Sequence, residues 1–475
     1  MKFRHSSSAE GTSHSSLLYS LALGSLGVAI FSGYWFWFRS QSRAQPNLPP
    51  LSQDESIQVY FNHDRSVEFT EPYRRKTRRG IDLAAKLIAA IESSQSQIDI
   101  AVQEFKLPNI AQALAAKSQA GVKVRIILEH NYSRSLSELT AAEIDGLTAR
   151  ARDRYGEYQK LVDIDGNGTL SQEEINQRDA LAILRNAKIA ILNDTADGSK
   201  GSGLMHHKFM VVDGRRVLVT SANWTMSDVY GDFRHPESEG NQNNLVQLES
   251  SELAAAFTNE FNLMWGDGTP NNSSSQFKAR KPARLPFEVS VGTTRVSVQF
   301  SPTSKQQAWE DSSNGSIGKW LGSSTQQVDL ALFVFSEPGL ASILQAQSQR
   351  GVKVQGLIDR EFAYRDYSSA LTLMGVDGRN ICQAATTSAQ PLATIGIPTL
   401  PTGDLLHHKF AVIDRRTVIT GSHNWSNAAN YSNDETLLVI QNNPTVAAHF
   451  DREFERLYEG VVVGLPARLK SKRCG

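Results

Sequence analysis

The chain has 475 residues, with 49 basic and 49 acidic side chains, and so carries no formal net charge. This length suffices for two domains of ordinary size, and the neutral balance excludes nucleic-acid binding driven by bulk positive charge. Two cysteines are too few for the class of small secreted domains that disulfides hold together. The function must therefore be sought in local patterns.

A segment near the N-terminus, Leu17–Phe38, contains no charged residue and ends in a run of aromatic residues. As a helix it would be about 33 Å long, enough to cross a bilayer, and the aromatic end is typical of a membrane interface. We predict that residues 1–50 form a tail, a single-pass membrane anchor and a linker. The side of the membrane stays open, because basic residues flank both ends (Lys2 and Arg4, Arg39 and Arg43). A cleaved signal peptide is the alternative and would give a secreted or periplasmic protein.

The remainder of the chain contains an internal repeat. The segments Gln97–Phe105 and Gly121–Glu129 recur 230 residues later, at Gln327–Phe335 and Gly351–Asp359. At a later shared motif the offset falls to 201, so the first copy carries 29 additional residues (230 − 201). A repeat of this size predicts two similar halves.

The halves are placed at residues 56–265 and 277–462, with an insertion at about 140–178 in the first. Apolar runs at Ile98–Val102 and Val122–Leu128 predict buried strands, whereas residues 81–94 and 108–120 have the apolar period of helices. Strands that alternate with helices are typical of the α/β fold class, in which helices cover the sheet.

The later shared motif is H-x-K-x4-D followed by S-x-N. It is formed by His206, Lys208, Asp213, Ser221 and Asn223 in the first copy and by His407, Lys409, Asp414, Ser422 and Asn424 in the second. The apolar residues in the motif predict a strand, on which residues i and i+2 share a face, so each His projects together with its Lys. The intervening His207 and His408 are predicted to pack in the interior. An imidazole can transfer protons or attack as a nucleophile near neutral pH, and Lys, Ser and Asn can donate to a charged phosphoryl group.

Two such motifs, each followed by Asn-Trp, resemble the paired HKD signature of the phospholipase D superfamily. The resemblance implies two similar α/β halves, each a mixed β-sheet flanked by helices, packed around a pseudo-two-fold axis with the active site between them. Both motifs lie in one chain, so no dimer is needed to complete the site. The implied reaction has two steps: one His attacks phosphorus, and the other protonates the leaving alcohol and then activates water or another alcohol. Such a mechanism requires no cofactor or metal.

The resemblance also implies the roles of the motif residues. The catalytic set would be His206, Lys208, Asp213, His407, Lys409 and Asp414. Of these, the two aspartates are expected to have a structural role, in the turn that follows each strand or in holding the Lys. Asn223 and Asn424 would bind phosphate oxygens, with secondary contacts from Ser221 and Ser422.

Members of the superfamily carry an acid after the second motif that bonds the other imidazole nitrogen, and Glu435 stands there in this chain. In the first half Asn243, or Gln242 if the register shifts by one residue, occupies the similar place. Either Glu239 or Glu237 substitutes for the missing acid, or His206 keeps a lower pKa than His407. The second case would make His206 the nucleophile and His407 the general acid.

The insertion contains an EF-hand-like loop, DIDGNGTLSQEE, which begins at Asp163. Oxygen donors occupy the positions that bind calcium in such loops, and Gly168 stands at the turn position. The proposed ligands are Asp163, Asp165, Asn167, Thr169 and Glu174. Calcium is expected to order the insertion rather than to join the chemistry, and the alternative is a solvated acidic turn that binds nothing.

The motifs specify the reaction type more closely than the substrate. The leading hypothesis is a membrane-anchored phospholipase D-type hydrolase of phospholipid head-group phosphodiesters, because a bilayer anchor would hold the site near lipid. A membrane-tethered endonuclease acting on nucleic acid is the alternative, and a phosphatidyl transferase resembling cardiolipin synthases is a third. A catalytically inactive binding protein is disfavoured, because every proposed catalytic His and Lys is present in both copies.

Overall fold

The computed structural model describes residues 48–199, 203–270, 272, 274–379 and 390–466. The predicted anchor, Leu17–Phe38, lies outside these ranges. Within them, no helix combines the length and the apolar character needed to span a bilayer. The predicted repeat is confirmed as two sheet-and-helix halves.

The first half begins with a strand that pairs with its last strand. Its strands are β1 Ile57–Phe61, β2 Glu68–Thr70, β3 Thr77–Arg79, β4 Gln97–Val102, β5 Lys123–Leu128, β6 Ala190–Asn193, β7 Lys208–Val212, β8 Arg216–Thr220 and β9 Asn244–Glu249. Its helices are α1 Leu83–Glu92, α2 Pro108–Gln119, α3 Ala141–Asp145, α4 Ala149–Val162, α5 Gln172–Arg178, α6 Ala180–Asn186, α7 Met226–Val229 and α8 Ser251–Trp265. Seven of the strands form one mixed sheet in the order β1-β9-β8-β7-β4-β5-β6, and β2 and β3 form a separate hairpin.

The second half repeats this plan with a longer sheet. Its strands are β10 Phe287–Val291, β11 Thr294–Ser301, β12 Gln327–Leu332, β13 Lys353–Ile358, β14 Ile395–Ile397, β15 Lys409–Ile413, β16 Thr417–Gly421, β17 Glu435–Gln441 and β18 Val462–Val463. Its helices are α9 Ser313–Gly322, α10 Pro338–Gln349, α11 Ser369–Leu373, α12 Asn427–Tyr431 and α13 Pro444–Tyr458. The sheet order is β10-β11-β17-β16-β15-β12-β13-β14-β18. Short 3-10 helices lie at His130–Tyr132, Leu136–Glu138, Lys278–Arg280 and Trp309–Asp311.

The predicted strands and helices are present with small shifts at their ends. Local chemistry accounts for the helix starts: the Asp82 side chain accepts from the backbone N–H of Ala85 before α1, and Pro108 occupies the first turn of α2. In each half the strand that carries the motif, β7 or β15, lies next to the strand of the first repeat segment, β4 or β12. Both motif strands are fully buried, as strands covered on both faces are.

One hydrophobic core joins the two halves. It combines side chains from the inner faces of both sheets with α8 and α13. Phe257 of α8 packs edge-on against Phe209 of β7, and Phe450 of α13 packs in the same way against Phe410 of β15. Phe450 also contacts Phe61 of the first half, with 5.1 Å between ring centroids. Burial of these rings fixes the two motif strands relative to each other.

Candidate active site

The two motif histidines lie just before β7 and β15 and face one cavity of about 450 Å³. Each enters the site against the opposite half. The backbone N–H of His206 donates to the Asp434 carbonyl at 2.9 Å, and that of His407 donates to the Gln242 carbonyl at 3.2 Å. This exchange is reciprocal, as an approximate two-fold relation between the halves requires.

The side chains continue this exchange between halves. Nδ1 of His206 lies 2.7 Å from a carboxylate oxygen of Glu435, and Nδ1 of His407 lies 3.0 Å from Oδ1 of Asn243. The prediction that Glu435 would support the histidine of its own half is therefore wrong, because β9 and β17 each begin beside the motif of the opposite half. The predicted substitute Glu239 instead lies 3.6 Å from Lys76, at the surface.

The surroundings of Asn243 fix the tautomer of His407. The Asn243 amide nitrogen donates to the carbonyl oxygens of Asp228 and Asn241, so its oxygen faces the imidazole. An amide oxygen can only accept, and Nδ1 of His407 must therefore carry the proton. The carboxylate of Glu435 imposes the same tautomer on His206. In the neutral form each imidazole thus has Nε2 free to act as a base or nucleophile.

The pKa values of both motif histidines lie below that of an ordinary imidazole. Burial lowers the pKa of His206 to about 4, with Lys208 adding to the effect and Glu435 opposing it. For His407, burial and the ammonium groups of Lys409 and Lys208 act together and hold the pKa well below its usual range. Both imidazoles are therefore neutral at pH 7 before an anionic substrate binds.

The motif lysines lie beneath the histidines and are almost fully buried. Nζ of Lys208 donates to the His206 carbonyl at 2.9 Å, and Nζ of Lys409 donates to the His407 carbonyl at 2.6 Å. Burial lowers the pKa of Lys208 to about 8, and burial together with the charge of Lys208 holds that of Lys409 well below its usual range. An anion between the histidines would relieve this repulsion, which makes the site complementary to a phosphoryl group.

The asparagine and serine residues of the motifs differ in their hydrogen bonding. The amide oxygens of Asn223 and Asn424 are buried and have no hydrogen-bond partner among the described residues. Ser221 donates its hydroxyl to Asn243, and Ser422 donates to Glu435, both at 2.7 Å. The serines therefore hold the groups that orient the histidines.

The motif aspartates have a structural role, but their side chains bind the segment before the neighbouring strand instead of the turn after their own strand or the Lys, where the role was expected. The Asp213 carboxylate accepts from the backbone N–H groups of Gln95, Ser96 and Gln97, and Asp414 accepts from those of Thr325, Gln326 and Gln327. Burial would raise the pKa of Asp213, but these donors lower it to about 2, and those around Asp414 lower its pKa as well. Neither aspartate lines the cavity or bonds a motif lysine. Their inclusion in the catalytic set is therefore corrected: they anchor the start of β4 and β12.

The intervening histidines are fully buried in the core. His207 contacts Thr436 through Nδ1 at 2.8 Å, and Nε2 of His408 lies 2.9 Å from a carboxylate oxygen of Glu453. Both rings pack among phenylalanines, including Phe209 and Phe410. This placement is the one predicted from the strand period.

Sequence reasoning missed Asp228, a buried acid on α7. One carboxylate oxygen accepts from the Asn241 amide and lies 3.8 Å from Nδ1 of His407, and the other accepts from the backbone N–H of Asn223. Burial raises the pKa of Asp228, although these donors and the motif lysines oppose the shift. Comparison of the copies could have singled it out, because the second copy has Ala429 at the matching position.

The predicted EF-hand-like loop lies between α4 and α5. Carboxylate oxygens of Asp163, Asp165 and Glu174 lie within 4.8 Å of one another. Oδ1 of Asn167 accepts from the backbone N–H and the hydroxyl of Thr169. Three carboxylates at this spacing are a set of oxygen donors of the kind that calcium prefers. The loop is separate from the catalytic cavity, which the helix α4 lines on one side.

The fold and site together define a class: a protein of two similar halves whose two H-x-K-x4-D motifs face one cavity. A family described as "Cardiolipin synthase, PLD-like domain" matches residues 87–265 and 317–458, which is more than half of the chain. The chain therefore belongs to the phospholipase D superfamily and is a phosphodiesterase of that superfamily.

Individual relatives cover smaller parts of the chain. The mitochondrial cardiolipin hydrolase of Xenopus laevis is 29% identical over 38% of this chain and 80% of its own length. The human protein of that name is 34% identical over 28% of this chain and 45% of its own length. Among solved structures, phosphatidylserine synthase from Haemophilus influenzae Rd KW20 superposes with a TM-score of 0.53 at 13% identity, covering 88% of this chain and 89% of that one. This last likeness concerns the fold alone.

Proposed function

We propose that the protein hydrolyses the head-group phosphodiester of phospholipids. The observation that carries the proposal is the cavity of about 450 Å³ beside the paired histidines, a volume in the range of sites that bind small ligands such as a phospholipid head group. The relatives named as cardiolipin hydrolases support the same substrate class. The N-terminal apolar segment Leu17–Phe38 is proposed to be the anchor that keeps this cavity close to a bilayer.

We propose His206 as the nucleophile because it contacts Glu435. The argument from the sequence led to the same histidine for the opposite reason, the absence of a supporting acid. Its Nε2 attacks phosphorus while Nδ1–H is held by Glu435, whose negative charge stabilises the positive charge that develops on the ring. The bond to the alcohol oxygen breaks as His407, protonated once the anionic diester has raised its pKa, donates a proton from Nε2.

The second step returns the enzyme to its starting state. The now neutral His407 removes a proton from water, the hydroxide attacks phosphorus, and the bond between phosphorus and His206 breaks. Lys208 and Lys409 neutralise the non-bridging oxygens in both steps. His407 releases to solvent the proton that it took from water when the anionic product leaves, which restores the neutral imidazole of the free enzyme.

The proposal predicts which substrate the full-length protein cleaves. Purified protein is supplied in parallel with detergent micelles that contain phospholipid and with single-stranded DNA, and His407→Asn serves as the control. We expect release of the head-group alcohol by the wild-type protein and its loss in the variant. Cleavage of DNA with phospholipid left intact would contradict the proposal and establish the endonuclease alternative.

We also propose that calcium binds the loop between α4 and α5 and stabilises the insertion. Ligand binding at a hundredfold excess over Kd adds about 2.7 kcal/mol to the free energy of unfolding. Calcium should therefore raise the Tm of the wild-type protein, and Asp163→Ala should remove this increase while leaving kcat at saturating substrate intact. Glu173→Gln, a change at an exposed neighbour outside the donor set, is the matched control. An equal increase in the Asp163 variant would contradict calcium binding at this loop.

A further inference from the structure

The insertion forms one wall of the catalytic cavity. The cavity extends from His206 and His407 to α4, and four charged side chains of that helix line it: Arg150, Asp153, Arg154 and Glu157. The 29 additional residues of the first half therefore reach the substrate site. The insertion is thus placed to take part in substrate selection.

Most charges in this wall are already paired. Glu104 lies 2.6 Å from Lys106 and 3.2 Å from Arg154. Arg234 lies 2.6 Å from Asp153 and 3.4 Å from Glu157. These pairs fix the wall and leave little net charge on the groups that form it.

The remaining carboxylates of the cavity also have donors. Asp228 accepts from Asn241 and Asn223, and Asp232 accepts from the Ser227 hydroxyl. A cationic group entering the cavity would therefore meet carboxylates that are already engaged.

Arg150 differs from the other cations of the wall. It is exposed, it lines the cavity, and within the described ranges its guanidinium has neither a hydrogen-bond partner nor an ion-pair partner. A guanidinium is a fork of donors that matches the oxygens of a phosphate. Arg150 is thus the cation of the wall that is available to a second anionic group of a substrate.

We propose that Arg150 determines specificity by binding a second phosphate of the phospholipid, carried by the head group on the far side of the scissile diester. This inference rests on the proposed function and names the substrate class as lipids with two phosphodiesters, such as cardiolipin. We expect this wall to bind a polynucleotide backbone more weakly, because nonspecific binding of such a backbone requires several free cations and the wall offers one.

The test compares two lipids that differ in the second phosphate. Full-length wild-type protein and Arg150→Gln are assayed on cardiolipin and on phosphatidylglycerol at equal mole fraction in the same detergent micelles. The variant should lower the ratio of kcat/KM for cardiolipin to that for phosphatidylglycerol about tenfold, as loss of a charged hydrogen bond does. Arg150→Lys should restore part of the ratio, because it keeps the charge but not the fork.

Lys160→Gln is the matched control. Lys160 is an exposed cation on the same helix that does not line the cavity, so its removal should leave the ratio unchanged. An unchanged ratio in Arg150→Gln, or an equal decrease in both variants, would overturn the inference while the proposed function stands. Wild-type protein that leaves both lipids intact would overturn both. Cleavage of single-stranded DNA that Arg150→Gln weakens would assign this cation to a nucleic-acid backbone and would also overturn the inference.

Discussion

His407→Asn protein incubated with an activated phosphodiester, such as a p-nitrophenyl ester, should release one equivalent of p-nitrophenol and then stop. Nitrophenolate departs without a proton, so the attack by His206 proceeds in this variant, whereas no base remains to activate water. The covalent intermediate should therefore accumulate on His206. Peptide mapping of the trapped phosphohistidine measures this directly. A natural diester has an alcohol leaving group that must receive a proton from His407. On such a substrate the kcat of the same variant should therefore fall at least about a thousandfold.

His206→Asn is the partner experiment. It lacks the proposed nucleophile, so it should release no equivalent of p-nitrophenol from the same ester. A burst from this variant, or a phosphate mapped to His407 in the wild-type protein, would exchange the roles of the two histidines. His206→Asn and His407→Asn change the same position of the motif in the two halves, so we expect the two substitutions to have comparable effects on folding.

Glu435→Gln should reduce kcat by a factor on the order of 10² to 10⁴, as for other imidazoles that lose their supporting carboxylate. Glutamine keeps the shape and an acceptor oxygen for His206 and Ser422 but removes the charge that stabilises the phosphorylated ring. Glu435 acts through His206 and is a positioning residue, so the pH profile distinguishes this role from a purely structural one. The carboxylate raises the pKa of His206. Its removal should therefore lower that pKa and move the acid limb of kcat/KM to lower pH.

The matched control is Glu239→Gln, which alters the acid that the sequence offered as an alternative support. Because Glu239 lies at the surface beside Lys76, this variant should keep wild-type kcat and pH dependence. Loss of activity in Glu239→Gln with retention in Glu435→Gln would contradict the pairing between halves. Thermal unfolding of both variants shows whether a loss of activity reflects a loss of folded protein.

The sequence was sufficient where the relevant physics is local. The period of two on a strand predicted that His206 and Lys208 share one face and that His207 lies in the core. The internal repeat predicted both halves and both motif strands. Long-range placement could not be obtained in this way. Whether Glu435 meets the histidine of its own half depends on how β9 and β17 lie against the opposite half, and neither strand encodes that locally.

The insertion shows the same limit of prediction from local sequence patterns. Its loop could be recognised because metal-ligand spacing is a short-range pattern, but the contact of α4 with the catalytic cavity depends on tertiary packing. The free guanidinium of Arg150 becomes meaningful only when the neighbouring ion pairs, such as that of Arg234 with Asp153, are known.

The exchange of histidine supports between halves bears on how this architecture can specialise. In a symmetric pair of identical subunits, both imidazoles would meet the same residue, and a change at that position would alter both at once. Fusion of the two copies into one polypeptide frees the positions to diverge, here to a carboxylate at Glu435 and an amide at Asn243. A division of labour between attacking and proton-donating histidine can thus be inherited as a fixed asymmetry, rather than being chosen anew in each turnover.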